Sequence, residues 1–200
     1  MNLLTDTLPD EVVVGNQKYR IHADFRTGIR FSLMENPGVR DLLLLYYRDR
    51  YPRNIEEAVQ AVLDFYLYDT GYKNKEDGRR NLPQKYGREY CFEQDAGAIY
   101  SSFWQAYRID LTKEDLHWWA FKALFFGLPP DTMFKKIIHF RTADISKMGK
   151  EEKKYYSEMK KLYALREGKH IFTLEQRNDY MRSYVLNKHA EVQYGKAQNH

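Results

Sequence analysis

The chain opens on two short β-prone runs and then changes period. Glu11-Val12-Val13-Val14 and Gln17-Lys18-Tyr19-Arg20-Ile21 flank Gly15-Asn16, a pair suited to a two-residue turn. A lone hairpin is marginal in water, so this one must pack on the helices downstream of it. From Asp24 onward the apolar positions recur at helical spacing. Asp24 is an N-cap for a helix over Phe25 to Met34, which Asn36-Pro37-Gly38 breaks. A second helix is expected from Val39 to Arg50, ahead of Pro52. Asn54 caps a third, with Glu57 as its capping-box partner. Ile55, Ala58, Val59, Val62, Phe65 and Tyr66 share one face of it, and Gly71 ends it.

Tyr72 to Tyr90 interrupts the pattern. Six basic and three acidic residues alternate there with Gly78, Pro83 and Gly87, which reads as a long, mobile, solvated loop. Periodicity returns after Asp95, with Ala96, Ile99, Tyr100, Phe103 and Tyr107 on one face. Thr112 is the expected cap of the next helix, with Asp115 in the box position. Leu116, Trp119, Ala120 and Ala123 line one side of it. Trp118, Phe121 and Phe125 widen the apolar arc, which places this helix centrally in the core. Gly127 and Pro129-Pro130 stop it, and Met133 to Arg141 forms a shorter helix with Phe134, Ile137 and Ile138 inward.

A lysine-rich helix is expected from Lys150 to Arg166, with Tyr155, Met159 and Leu162 as its narrow apolar stripe. Glu151 and Glu152 come first and the lysines later, which suits the helix dipole and reads as solvated surface. Thr173 and Gln176 open a last helix carrying Leu174, Met181, Val185 and Val192, either docked on the core or extended as a partner-binding arm. The fold class predicted is mainly α: a compact helical bundle with an N-terminal β-hairpin. Residues 1–166 are expected as a single helical domain and 167–200 as a C-terminal helical extension.

Composition narrows the class. The 200 residues are 43% hydrophobic and 16% aromatic, enough for a sizeable core and too rich for a disordered chain. The net charge of +4 is far below that of a dedicated nucleic-acid binder. With Cys91 alone no intrachain disulfide can form, which fits a reducing compartment. The start of the chain lacks the basic region and apolar core of a secretory signal. The longest apolar run, Leu42 to Tyr47, is too short to span a bilayer, so no membrane association is expected and the location expected is cytoplasmic. The 17 tyrosines suit surfaces that are sometimes wet and sometimes covered.

Catalytic signatures are missing. There is no phosphate-binding or dinucleotide-binding glycine loop and no nucleophile elbow. One cysteine cannot build a thiolate zinc cage, and no two of the six histidines lie three or four residues apart. The expectation is therefore a protein that is not an enzyme, with no catalytic residue, no metal and no cofactor. The sharpest local constellation is His117-Trp118-Trp119. It reads either as a base or ligand in an aromatic pocket, or as a histidine near the first turn of a helix with its ring on a backbone carbonyl. The second reading is favoured, since no acid or nucleophile sits at a telling distance. The two tryptophans belong to a core or to an interface. Phe121, Arg141 and Asp144 complete the candidate interaction or core positions.

Several stretches together carry a resemblance. They are Leu3 to Asp6, Asp24 to Thr27, Phe92 to Asp95, Tyr107 to Leu111, Leu116 to Phe121, the Gly127-Leu128-Pro129 stop, Lys136 to Ile138 with Arg141 and Asp144, and Tyr163 to Leu165. The chain from Leu3 to Leu165 resembles the bacteriophage gene-product-fifteen family of tailed phages and prophages. That resemblance implies a tail-module protein encoded beside the tape-measure gene, acting in the cytoplasm of the bacterial host. Proteins in that position act as tail assembly chaperones, coating the tape-measure protein until tube subunits polymerise around it. The partners implied are the tape-measure protein or other tail proteins, and self-association is compatible with this. One alternative is a structural tail or neck component retained in the virion. A second is a nucleic-acid-binding protein using the Tyr72 to Tyr90 loop and the lysine helix, against which the interspersed acids argue.

Overall fold

The computed structural model describes residues 2–35, 37–68 and 89–166. The loop expected from Tyr72 lies, up to residue 88, outside the described residues, as does the C-terminal extension over 167–200. The described residues form a two-stranded hairpin and seven helices, a mainly α architecture as the periodicity predicts. They fall into two compact units. The first comprises residues 2–68 and 117–119, and the second 89–116 and 120–166.

The first unit begins with β1 (Glu11–Val14) and β2 (Gln17–Arg20), paired antiparallel with Glu11 opposite Arg20 and Val13 opposite Lys18. Gly15 carries φ +58°, a left-handed conformation that a side chain would strain, so glycine makes this turn. Val12 and Val14 are buried and Val13 is exposed, the alternation expected of a half-buried strand. The turn is pinned by its backbone: Gly15 N–H donates to the Glu57 carboxylate at 3.0 Å.

Helix α1 (Phe25–Leu33) starts where predicted. Asp24 accepts from the Thr27 N–H at 3.1 Å and from the Thr27 hydroxyl at 2.8 Å. Burial raises the Asp24 carboxyl and these bonds outweigh it, leaving the group below the usual carboxylate range. Helix α2 (Val39–Tyr46) is shorter than the expected Val39 to Arg50. Tyr47 leaves the helix with extended backbone, its hydroxyl donates to Ala58 O at 2.9 Å, and Ile21 bridges to it. The free edge of β2 thus captures the chain after α2: His22 N–H donates to Tyr46 O at 2.7 Å and Arg48 N–H to Arg20 O at 3.1 Å. Helix α3 (Ile55–Leu67) is capped by Asn54, which accepts from Glu57 N–H at 3.4 Å. Its C-cap is Tyr68, and the expected stop at Gly71 lies outside the described residues.

The second unit holds α4 (Ala96–Tyr107), α6 (Met133–Thr142), α7 (Lys150–Leu162) and, from Ala120 onward, α5 (Trp118–Phe126). Phe103, Phe121, Phe125 and Phe134 are buried together, with Phe103 and Phe121 stacked at 5.2 Å. Ser102, fully buried on α4, accepts from Phe134 N–H at 3.1 Å and so satisfies an open donor in the first turn of α6.

Two expectations fail in this unit. Thr112 does not cap α5. Asp110 takes its N–H at 3.0 Å and its hydroxyl at 2.6 Å in a tight local turn, and the helix begins only at Trp118. The lysine helix ends at Leu162 rather than Arg166, and its stripe is wider. Leu162 faces solvent, Met159 is half-buried, and Phe140 takes Tyr156 and Tyr163 at 5.7 and 5.8 Å beside the half-exposed Tyr155 at 6.1 Å. Among the described residues no helix is long and apolar enough to cross a membrane.

Among the glycines of the described residues, Gly28 leaves least room for a methyl group. A Cβ there would fall 2.5 Å from the indole of Trp118, inside van der Waals contact. Gly28→Ala is expected to lower stability by about 1–3 kcal/mol, as overpacking of a filled core does. Urea unfolding followed by tryptophan fluorescence checks this, and an unchanged midpoint would show that the indole is not held against α1.

Candidate functional site

His117, Trp118 and Trp119 enter the first unit as one knot. His117 precedes α5 and forms an antiparallel bridge with Asp24, and Trp118 N–H donates to Ala23 O at 2.7 Å. The His117 Nδ1 accepts from Trp119 N–H at 3.0 Å, and its Nε2 lies 3.0 Å from Pro9 O. An Nδ1 that accepts an N–H assigns the ring proton to Nε2, which then donates to Pro9 O. The ring therefore sits on a backbone carbonyl, in line with the favoured reading. It also supplies the helix cap that the spacing assigns to Thr112.

The tryptophans close the far end of α3. The last turn of a helix leaves carbonyls without intrahelical partners. Trp119 Nε1 donates to Phe65 O at 2.7 Å and Trp118 Nε1 to Tyr66 O at 2.8 Å. Each indole also stacks on a tyrosine of that segment, Trp118 on Tyr66 at 5.2 Å and Trp119 on Tyr68 at 3.7 Å. Their exposures, 1% and 5%, place both in the core rather than at a free interface.

Phe121 belongs to the second unit's core, between Phe103 and Phe125. Arg141 holds that unit's polar centre. It meets Asp95 in a bidentate pair, both contacts at 2.7 Å, with side-chain exposures of 8% and 3%. Its Nε and Nη1 also donate to Tyr163 O at 2.6 Å and Glu89 O at 3.0 Å respectively. Asp95 also accepts from Cys91 N–H at 2.8 Å. Gln94 continues the network, donating to Ala164 O at 2.9 Å and accepting from Arg166 N–H at 3.0 Å. Asp144 is apart from this. It is exposed, closes a turn on Ser146 N–H at 2.9 Å, and those Ser146 bonds hold its carboxyl below the usual range. His117, Trp118 and Trp119 thus belong to the first unit, and Phe121, Arg141 and Asp144 to the second.

Sequence reasoning misses Asp95, Gln94 and Ser102 as structural partners. An Arg–Asp pair so far apart along the chain has no local signature. The other perturbed groups obey the same structural logic. Hydrogen bonds from the Thr112 side chain and backbone hold Asp110 down to about 2. Burial lowers Lys135, whose ammonium donates to Phe126 O at 3.0 Å. Among the described residues, no group of three or more His, Cys, Asp or Glu could hold a metal ion.

Several large apolar side chains among the described residues are exposed. Leu44, Tyr51 and Ile55 are exposed on the first unit, and Trp104, Phe126, Met133, Tyr155 and Leu162 on the second. Exposed aromatic and aliphatic side chains of this kind are the raw material of protein interfaces. The family described as Bacteriophage Gp15 protein matches the chain over residues 4–165. The chain belongs to that family. Its matched region spans both units and all six candidate positions, and it points to a phage structural or morphogenesis protein. No curated protein and no solved structure matches the chain.

The Gp15 fold puts different weight on two neighbouring candidates. Arg141→Ala leaves Asp95 buried without its partner and should cost about 3–5 kcal/mol, as breaking a buried pair does. Asp144→Asn, on an exposed turn, should stay within about 0.5 kcal/mol of the wild type. Chemical denaturation of both variants reads the difference. Equal losses would show that the Arg141 network is not what holds the second unit.

Proposed function

We propose that this Gp15-family protein is a tail morphogenesis factor that acts as a tail assembly chaperone on the tape-measure protein in the host cytoplasm. Membership of the family over residues 4–165 carries the reading. The physical rationale is shielding. A long, amphipathic helical polypeptide exposes apolar stripes until tube subunits enclose it, and a helical protein with apolar and aromatic side chains at its surface can cover them. Leu44, Tyr51 and Ile55, with Trp104, Phe126 and Met133, supply such side chains. The titratable residues of the candidate positions are engaged in a helix cap, a turn and a buried ion pair, so the reading rests on the surface side chains and not on them.

Co-expression with the tape-measure protein of the same phage is the test. The expected result is a soluble complex that co-purifies, together with absence of this protein from purified virions by mass spectrometry. Failure to form a complex and to raise tape-measure solubility overturns the reading. Presence in the mature particle overturns it in favour of a structural tail or neck component.

A further inference from the structure

The outer face of the hairpin carries charges that the described residues leave unanswered. Side chains alternate along a strand, so with Val12 and Val14 inward, Glu11, Val13, Lys18 and Arg20 share the outer face. Beyond β2, Ile21 and Tyr47 face each other with both side chains buried, and Arg48 N–H donates to Arg20 O. This antiparallel register sets Arg48 directly across from Arg20, and both are exposed. Directly opposed residues have Cβ atoms about 5 Å apart, where like charges destabilise the pairing. Arg50, Tyr51 and Arg53 follow in the chain and are exposed, while Pro52 among them is buried.

No local acid resolves this. Glu11 lies opposite Arg20, yet its carboxylate pairs with Lys18 at 3.1 Å. Asp49 is the only acid between Arg48 and Arg53. Among the described residues, none of the guanidiniums of Arg20, Arg48, Arg50 and Arg53 has a hydrogen-bond or ion-pair partner. A repulsive pair placed across a rigid bridge is relieved by an anionic ligand, and guanidiniums favour carboxylates or phosphates in bidentate geometry.

We propose that this face docks an acidic, amphipathic segment of a protein partner, with its carboxylates on Arg20 and Arg48 and its apolar side chains on Val13. Charge complementarity selects an acidic partner. Val13, 61% exposed among the cations, selects a protein over nucleic acid. A single-strand site stacks successive bases on successive aromatics, whereas the stretch from Arg48 to Arg53 offers one ring, Tyr51. The inference rests on the morphogenesis reading, in which the segment belongs to a tail protein.

Fluorescence anisotropy on the full chain tests it. The probes are a labelled synthetic helical peptide with Glu on one face and Leu on the other, and a labelled oligo-dT. The variant is Arg20→Glu with Arg48→Glu, its fold checked by circular dichroism. Should that pair disturb the bridge, Arg20→Ser with Arg48→Ser takes its place. The peptide is expected to bind the wild type, more weakly as salt rises, and the variant about tenfold or more weakly, since like charges across an interface are strongly unfavourable. No peptide binding, equal binding by the variant, or a preference for oligo-dT overturns the proposal. The same variant is co-expressed with the tape-measure protein. Capture by wild type and variant alike rejects this surface and leaves the chaperone reading standing. Loss of capture already in the wild type, with peptide binding still sensitive to the arginines, rejects the chaperone reading and leaves the surface standing.

Discussion

Two indole N–H groups at the end of α3 are the constraint on which the first unit depends. A helix terminus buried against other elements must satisfy its last carbonyls or lose the desolvation free energy of each, on the order of 1–3 kcal/mol. Trp118 and Trp119 satisfy Tyr66 O and Phe65 O and cover the same turn with their rings. This dictates much else. The indole of Trp118 needs the space that only a glycine at position 28 leaves. The backbone of Trp118 must reach Ala23 O, and His117 must turn the chain into α5 with its ring bound at both nitrogens. One tripeptide thus joins the start of α1, the end of α3 and the segment before the hairpin.

The second unit solves a different problem. Its helix α7 has no fully buried residue and packs through half-exposed tyrosines on Phe140. Polar anchors add to this: Arg141 on Tyr163 O, Lys160 on Arg141 O, and Gln94 on Ala164 O. A guanidinium can serve there only if its own charge is neutralised, which Asp95 does in bidentate geometry. The family resemblance includes Asp95 and Arg141 separately, and the structure shows them as one device.

Local chemistry is legible in the sequence and long-range chemistry is not. The hairpin, the Asp24 and Asn54 caps and the central position of Trp118, Trp119 and Phe121 come from turn residues, capping preferences and apolar spacing. The failures share a cause. Helical periodicity runs α2 too far because it cannot register that the edge of β2 captures Tyr47 and Arg48. Thr112 satisfies the spacing of a cap, but Asp110 competes for its N–H and hydroxyl locally. The stripe of α7 is widened to Tyr156 and Tyr163 because Phe140, a residue on another helix, gathers them together with Tyr155. The opposed Arg20 and Arg48 are invisible in sequence for the same reason, being neighbours only across a bridge.

The His117-Trp118-Trp119 block is therefore architectural, buried against the end of α3. Hydrogen exchange of the three tryptophan indole protons, measured by NMR, tests that claim most directly. Trp118 and Trp119 should exchange slowly, at rates set by opening of the fold, while Trp104, 46% exposed, should exchange fast. Fast exchange at all three would contradict the account, because it would place the His117-Trp118-Trp119 block at the surface rather than at the end of α3.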